Sequence, residues 1–314
     1  MSSPTTLATA SSIFLGVIMA STSNAETITV CLDGSCDFTD PAAAVQAAAD
    51  GDVIEVAAGT YLLDAGISFY GVNAVLRGEV DRDGRPATIL DAQGKGQVIG
   101  FIHTESTNRI ENVQIVNGRA DYGGGLFLHN ADPVFQNCVI RDNVAGFQGG
   151  GMFVKSGSSP TFIDCRIIDN ISSHPTWDAG TGGAAWLSGD VVLTLVDSEV
   201  RFNAAETLGG GIGMNSTGEV ILDNSRICGN VASEDPDTSQ IYGSGTVTVV
   251  SGCVDESCDC VFTDPADLNG DNAVNGADLG LLLANWGQPG TGDLNGDDIV
   301  GGADLGLMLA AWSK

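Results

Sequence analysis

Residues 149–170 read GGGMFVKSGSSPTFIDCRIIDN, and this pattern occurs four times between Gly123 and Asn230. Each copy opens on a cluster of small residues, at 123–125, 149–151, 182–184 and 209–211. An apolar triplet follows, and then an apolar residue two positions before an Asp/Asn–Cys/Ser pair. Each copy closes on an asparagine: Asn143, Asn170, Asn203 and Asn230. These asparagines are 27, 33 and 27 residues apart, a period that indicates a solenoid.

Each copy contains three short segments that alternate apolar and polar residues, which is the pattern of strands and not of helices. The parity of the apolar positions changes at the Asp/Asn–Cys/Ser pair, so the chain turns a corner there. Three strands and three corners would form one rung of a parallel β-helix, with rungs about 4.8 Å apart. The closing asparagines are then expected to stack as an inward amide ladder, whereas ordinary turn residues would not need this register.

The pattern resembles the right-handed parallel β-helix of the pectate-lyase-like superfamily over roughly residues 27–252. The glycine clusters and the segments GDVIEVAAGTY (51–61) and ATILDAQG (87–94) look most like secreted bacterial members with polymorphic-outer-membrane-protein-type repeats. The resemblance implies a mainly β fold. It implies no single activity, because the superfamily hosts lyases, hydrolases, esterases, adhesins and inert stalks. The catalytic aspartates of pectin methylesterases are not found here in matching motifs.

The N-terminal residues 1–25 are predicted to be a signal peptide. They carry no charged side chain, and an apolar run at 13–19 precedes a small-residue cleavage site at 23–25. We therefore expect a secreted protein, and no later segment is apolar enough to insert into a membrane. The formal net charge of −28, from 40 acidic and 12 basic residues, argues against nucleic acid and anionic membrane as partners.

Three further segments follow the signal peptide. Residues 26–252 are predicted to form the β-helix, with an N-terminal cap that includes a helix at 41–49 after the N-cap residue Asp40. Residues 253–266 are predicted to be a cysteine-containing linker, and residues 267–314 a separate small domain. Residues 26–252 account for most of the chain, so the fold of this segment decides the class of the protein.

Eight cysteines fit an exported protein, because export permits disulfides. Cys31 and Cys36 flank a turn and are expected to close a small loop. Cys138 and Cys165 hold the same place in successive rungs and are expected to stack as buried thiols. The cluster at 253–260 indicates disulfides, with a zinc site as the alternative.

Two calcium-loop sequences follow the linker, DLNGDNAVNGAD at 267–278 and DLNGDDIVGGAD at 293–304, each before an apolar helix at 279–286 or 305–312. Their oxygen donors have the spacing of an EF-hand-type loop, so calcium is the expected cofactor. The candidate ligands are Asp267, Asn269, Asp271, Ala273, Asn275 and Asp278 in the first loop, and Asp293, Asn295, Asp297, Ile299 and Asp304 in the second. Ala273 and Ile299 would bind through their backbone carbonyls. Gly301 replaces one side-chain ligand, which predicts weaker binding by the second loop.

The loop pair resembles a type I dockerin, whose loops also end in Asp and lack the entering helix. That resemblance implies a small α domain with an EF-hand pair, a cohesin-like protein partner and a place in polysaccharide breakdown. The docking positions would be Gly276, Ala277, Leu283, Ala284, Gly302, Ala303, Leu309 and Ala310. The hydroxyl pair common in cellulosomal dockerins is absent from them.

The longest spacing of the repeat places extra residues in the segment 171–181. Loops on rigid scaffolds carry a large share of binding and catalytic residues. We expect this corner to bind polysaccharide, since aromatic faces suit sugar rings and an acid suits hydroxyl groups. The candidate substrate-binding residues are Tyr122, Phe147, His174, Trp177 and Asp178. The alternative is that Trp177 folds back over its own rung and is structural.

Two classes of function remain open from the sequence: a non-catalytic β-helix that binds polysaccharide or a cell-surface partner, and a polysaccharide lyase or glycoside hydrolase that carries a dockerin. Several charged positions recur in neighbouring rungs: Asp142 with Asp169, Asp164 with Asp197, and Arg141 with Arg201. We interpret them as solvated corner residues and assign no catalytic residue. A groove with a carboxylate pair and an arginine on one face would instead favour the enzyme.

Overall fold

The computed structural model describes residues 25–104, 108–174, 179–215, 217–258, 265–270 and 273–312. Most of these residues form a parallel β-solenoid, and two short helices follow it. No helix within the described ranges is long and apolar enough to cross a membrane.

The strands before the repeat are β1 (Thr27–Val30), β2 (Val53–Val56), β3 (Gly59–Leu62), β4 (Ile67–Tyr70), β5 (Val75–Gly78), β6 (Thr88–Asp91), β7 (Ile99–Thr104), β8 (Arg109–Glu111), β9 (Val113–Val116) and β10 (Arg119–Tyr122). The strands of the repeat are β11 (Leu126–Ala131), β12 (Val134–Gln136), β13 (Val139–Arg141), β14 (Val144–Gln148), β15 (Met152–Lys155), β16 (Thr161–Ile163), β17 (Arg166–Ile168), β18 (Ile171–Ser172), β19 (Ala185–Ser188), β20 (Val191–Val196), β21 (Glu199–Arg201), β22 (Ala204–Ala205), β23 (Ile212–Met214), β24 (Gly218–Asp223), β25 (Ser225–Cys228) and β26 (Val231–Ala232). The last are β27 (Ile241–Tyr242), β28 (Thr246–Val249) and β29 (Gly252–Asp255). The helices are α1 (Pro41–Ala47), α2 (Gly276–Ala284) and α3 (Gly302–Ala310), with a 3₁₀ turn at Pro236–Thr238.

Four parallel sheets run along the solenoid, and we number them in the order in which one rung visits them. Sheet I is β1-β2-β5-β8-β12-β16-β20-β24-β28. Sheet II is β29-β25-β21-β17-β13-β9-β6-β3, sheet III is β10-β14-β18-β22-β26, and sheet IV is β27-β23-β19-β15-β11-β7-β4. The parallel solenoid expected from the repeat is therefore confirmed.

The prediction of three strands per rung is wrong for the repeat region, where each rung has four. The additional strand belongs to sheet III and begins directly after each ladder asparagine. It stays extended because one small inward side chain fits there, namely Ala145, Ser172, Ala205 or Ala232. The sheet III segments show no such alternation in the sequence, and some of them are only two residues long.

The asparagine ladder is confirmed. The Nδ2 atom of Asn143 donates to Oδ1 of Asn170 over 3.0 Å, and Asn170 donates to Asn203 over 2.9 Å. Nδ2 of Asn203 donates to Oδ1 of Asn230, and Nδ2 of Asn230 donates to Oε1 of Gln240 over 2.8 Å. The four asparagines are at most 2% exposed, so their bonds are shielded from water and hold adjacent rungs in register.

The corner between sheets I and II turns through residues with a left-handed backbone. Asn137, Asp164, Asp197 and Asn224 have φ values of 49°, 53°, 49° and 46°, a conformation that Asn and Asp tolerate. The next position faces inward, where the amide of Cys138 donates to Sγ of Cys165 over 3.4 Å. Both thiols are free and buried, as expected, and burial raises the pKa of Cys165 well above its ordinary value.

The core consists of equivalent side chains stacked along the axis. Phe135 and Phe162 lie with ring centroids 4.6 Å apart, and Leu195 and Leu222 continue their row in the next rungs. At the N-terminal end, α1 buries Ala44 and Val45 against the first strands, and the Asp40 side chain accepts from the amide of Ala42. The capping helix is thus confirmed, two residues shorter than predicted.

Disulfides join Cys31 to Cys36, as expected, and Cys228 to Cys258. Cys253 is also disulfide-bonded, while Cys260 lies outside the described residues. Since β29 pairs with β25, the parallel sheet continues to Asp255, three residues into the segment predicted to be a linker. The second disulfide fastens the following turn to the last rungs.

Candidate functional site

An aromatic ladder lies on the outer surface at sheet III. Tyr122 ends β10, Phe147 lies in β14, and His174 follows β18, so they occupy three successive rungs. The ring centroids of Tyr122 and Phe147 are 5.7 Å apart, and those of Phe147 and His174 are 4.7 Å apart, with an interplanar angle of 27° in each pair. The structure therefore brings three of the five candidate substrate-binding residues together. Trp177 and Asp178, and with them the alternative that Trp177 is structural, lie outside the described residues.

A second aromatic row on sheet IV was missed in the sequence. Phe127, Phe153 and Trp186 are equivalent positions of β11, β15 and β19 and face outward. Phe127 and Phe153 are stacked at 5.7 Å, and Tyr122 meets Phe153 edge-on at 5.2 Å, which leaves Phe153 only 7% exposed. The signal was present in the triplets LFL, MFV and AWL, because the middle residue of a triplet faces opposite to its buried neighbours.

A notch at Gly146 interrupts the aromatic surface. A β-carbon placed on Gly146 would lie 3.4 Å from Oδ1 of Asp121 and 3.6 Å from Cδ2 of His174. The backbone amide of His174 donates to the carboxylate of Glu206 over 2.9 Å. The carboxylate of Asp121 forms no hydrogen bond or ion pair with any residue that the structure describes. Because residue 146 has no side chain, this notch has room for one methyl-sized group in van der Waals contact with the Asp121 carboxylate and the His174 imidazole.

A groove of about 590 Å³ runs along the corner between sheets I and II. Asp164 and Asp197 occupy equivalent positions in adjacent rungs there, and Arg166 and Glu199 line the same groove. The loop at 80–86 overhangs it, held by a 3.0 Å bond from Nδ2 of Asn137 to the carbonyl of Gly84. The groove therefore combines a carboxylate pair and an arginine, the arrangement that would favour an enzyme.

Three arginines on sheet II, in β13, β21 and β25, are engaged in ion pairs. Arg141 bonds to Asp142 and, over 3.0 Å, to Gln114, whereas Arg201 lies 3.2 Å from Glu199. Arg226 pairs with the same glutamate. Ile168 separates Arg141 from Arg201 along the register, as expected. These contacts fit solvated structural pairs and not a catalytic site.

The two predicted calcium loops precede α2 and α3. In the first, both oxygens of Asp278 accept backbone amides, from Asn269 over 3.1 Å and from Asn275 over 2.9 Å. In the second, Asp304 accepts from Asn295 over 3.0 Å and from Gly301 over 2.6 Å. Burial raises the pKa of both carboxyls, but these amides outweigh it and the pKa lies below its ordinary value. Asp271 lies outside the described residues.

The donor set of these loops fits a hard divalent cation. Asp278 and Asp304 are fully buried, and no Lys, Arg or His occurs between residues 253 and 313 to balance them. Within the described ranges, no three His, Cys, Asp or Glu side chains already converge on one point. In the second loop, the carboxylate of Asp293 accepts the amides of Gly296 and Asp298 over 2.9 and 2.8 Å. Backbone amides stabilise both carboxylates, but no cationic side chain neutralises the negative charge of the loops, so a bound cation would relieve the repulsion.

Helices α2 and α3 differ from their predicted bounds. Both begin three residues earlier and end two residues earlier than expected. The earlier start of α2 has a local cause, since the side chain of Asn275 accepts from the amide of Ala277 and the Asn275 amide donates to Asp278. Leu283 and Leu309, two of the predicted docking positions, are 52% and 54% exposed.

A comparison with protein families supports the solenoid. A family model described as "Right handed beta helix region" matches residues 16–194 and 87–278. A pectin methylesterase from Aspergillus niger is similar in structure at 16% identity, with a TM-score of 0.41, covering 71% of this chain and 85% of its own. A carrot pectin methylesterase matches at 15% identity and a TM-score of 0.38, over 71% and 82%. The pectate lyase Pel9A matches at 14% identity and a TM-score of 0.38, over 74% and 79%. No curated protein matches the sequence.

Proposed function

The chain belongs to the right-handed beta helix family, and we propose that it is a secreted protein that binds polysaccharide. The observation that carries the proposal is the aromatic ladder of Tyr122, Phe147 and His174 on a rigid scaffold. Exposed aromatic side chains offer large apolar area at low entropic cost, and neighbouring polar groups fix the orientation of a ligand. Disulfides at both ends of the solenoid suit an oxidising, extracellular compartment.

The test of this function is the variant Tyr122→Ala in binding assays on a panel of neutral and charged polysaccharides. Tyr122 is 42% exposed and lies outside the core, so its loss should leave the solenoid folded. We expect binding to weaken about tenfold, because the loss of one stacked ring costs about 1–2 kcal/mol. Tyr70→Ala is the matched control, since Tyr70 is a 70% exposed tyrosine on sheet IV away from the ladder. Equal binding by both variants would contradict the proposal.

We also propose that residues 267–312 form a calcium-binding unit of dockerin type with a cohesin-like protein partner. The support is the donor set of the two loops and the exposed leucines of α2 and α3. Calcium would fix the loops and so the positions of both helices. Capture of the protein by a cohesin module in calcium, and its release by chelator, is the expected result. Capture that persists in chelator would contradict this part of the proposal.

A second candidate, a polysaccharide lyase or glycoside hydrolase, is favoured by the groove that holds Asp164, Asp197 and Arg166. The measurement is product release from acidic and neutral polysaccharides with calcium present. If the groove is catalytic, Asp164→Asn should lower the rate about a hundredfold or more, as loss of acid–base catalysis does. Asp169→Asn is the control, because Asp169 has the same left-handed backbone at another corner. No release by the unmodified protein, or equal loss in the control, would exclude the groove.

A further inference from the structure

We propose that the aromatic ladder selects glycans that carry free amino groups, with the ammonium group seated in the notch at Gly146. This inference rests on the proposed polysaccharide-binding function and names its ligand class. It follows from the juxtaposition of the unpaired Asp121 carboxylate, the open Gly146 backbone and the rings of Tyr122 and Phe147.

The notch has the chemical groups that bind an ammonium ion. Oδ1 of Asp121 borders the space above Gly146, and a carboxylate bonds strongly to a charged N–H donor. The ring of His174 borders the same space. Phe147, the residue after Gly146, stacks between Tyr122 and His174. Aromatic faces attract cations, and the attraction grows as water is displaced.

The charges around the notch favour a cation over an anion. Glu206, held by the His174 amide, adds a second carboxylate one rung beyond His174. Arg119, two residues before Asp121 on β10, is cationic, but the two carboxylates outweigh its single charge. The whole chain carries a formal net charge of −28, which repels uronic-acid polymers and attracts polyamines and amino-sugar polymers. A neutral glycan would use the rings but leave Asp121 without a charged partner.

The experiment compares three soluble hexasaccharides by calorimetry at about pH 6, where Asp and Glu are ionised. They are a glucosamine hexamer, its N-acetylated form and a glucose hexamer. The variants are Asp121→Asn, which removes the charge, and Gly146→Ala, which fills the notch with only ordinary contacts of 3.4 Å or more. The controls are Asp190→Asn, an exposed acid at another corner, and Gly100→Ala, where an added β-carbon meets nothing within 4 Å.

We expect the glucosamine hexamer to bind about tenfold more tightly than the other two. Asp121→Asn and Gly146→Ala should abolish that preference, while both control variants keep it. If the acetylated or glucose hexamer binds as tightly and Tyr122→Ala weakens it, the proposed function stands and the amino-glycan inference is overturned. Equal losses in Asp121→Asn and Asp190→Asn would also overturn it, because they indicate general attraction to an acidic surface. If the unmodified protein binds no glycan, both proposals fail.

Discussion

Asn170 is an interior residue of the amide ladder, bonded to an asparagine on either side. Its Nδ2 atom donates to the Ile140 carbonyl over 2.9 Å as well as to Asn203, and its Oδ1 accepts both the side chain and the backbone amide of Asn143. Asn170→Ala would leave several fully buried groups without partners. We expect the free energy of unfolding to fall by about 2–4 kcal/mol.

The measurement for Asn170→Ala is denaturant unfolding followed by far-ultraviolet circular dichroism. Asn215→Ala is the control, because Asn215 is exposed and, among the described residues, its side chain bonds only to Thr217. The control should change the free energy of unfolding by less than about 0.5 kcal/mol. Equal stability of the Asn170 variant and the control would mean that the ladder sets register without contributing stability.

The ladder residues could be predicted from the sequence, because the period identifies the residue that recurs in each rung and the side of the chain that its side chain faces. The ends of the ladder could not. Gln240 closes it at Asn230, yet Gln240 lies ten residues away in a segment without the repeat. Phe202 likewise has a left-handed φ of 58°, a position that Asp holds in the two preceding rungs. Single residues that depart from a period show their role only when neighbouring rungs are placed in space.

The glycine clusters are the elements that let the rungs approach closely between sheets III and IV. Gly149 has a φ of 70°, which few other residues adopt, and a β-carbon on Gly150 would lie 2.4 Å from the carbonyl oxygen of Gly183. That neighbour is backbone and cannot move aside alone. Gly150→Ala should therefore destabilise the solenoid by about 3 kcal/mol or more through forced separation of two rungs.

Thermal unfolding of Gly150→Ala tests this prediction, with Gly100→Ala as the control on an open outward position. The control should keep the midpoint of the parent protein. A large drop in the control as well would show that the solenoid tolerates no alanine at its glycines, so that close packing would not be the reason. If Gly150→Ala kept the thermal midpoint of the parent protein, the two rungs would have room for a β-carbon at this corner.

Strand content could be predicted where apolar residues recur at every second position, as in β20 and β24, but not in sheet III, where strands are as short as two residues. The candidate site could likewise be predicted only where its residues follow the repeat. Tyr122, Phe147 and His174 share a corner that the spacing of the repeat identifies. Asp121, Gly146 and Glu206 add the charge and the open space, and they come from different rungs with no common motif.

The whole molecule has two hydrophobic cores within its described residues. The larger fills the solenoid, and the smaller comprises Val274, Leu282, Val300 and Met308 with a few neighbours from the helical unit. A core of this size provides too little burial to hold a domain of about fifty residues without a staple or a metal. The loops around it carry buried carboxylates and no basic side chain, so the unit should depend on a bound cation.

Two cores of such different size predict two unfolding transitions in the full chain, of which only one responds to calcium. The helical unit should unfold first, and calcium at a hundredfold excess over its dissociation constant should stabilise it by about 2.7 kcal/mol. The solenoid transition should not move, because stacked apolar rows and the amide ladder hold it. Differential scanning calorimetry in calcium and in chelator measures both transitions.

Variants of the two calcium loops test which loop contributes more to the stabilisation by calcium. Asp267→Ala should reduce the calcium-dependent shift more than Asp293→Ala, because Gly301 already deprives the second loop of one side-chain ligand. Each aspartate opens its loop, so the two substitutions are matched in position and chemistry. An equal shift in both variants would contradict the difference between the loops. A solenoid transition that moves with calcium would place a cation in the β-helix as well, and the groove at Asp164 and Asp197 would become the first place to look for it.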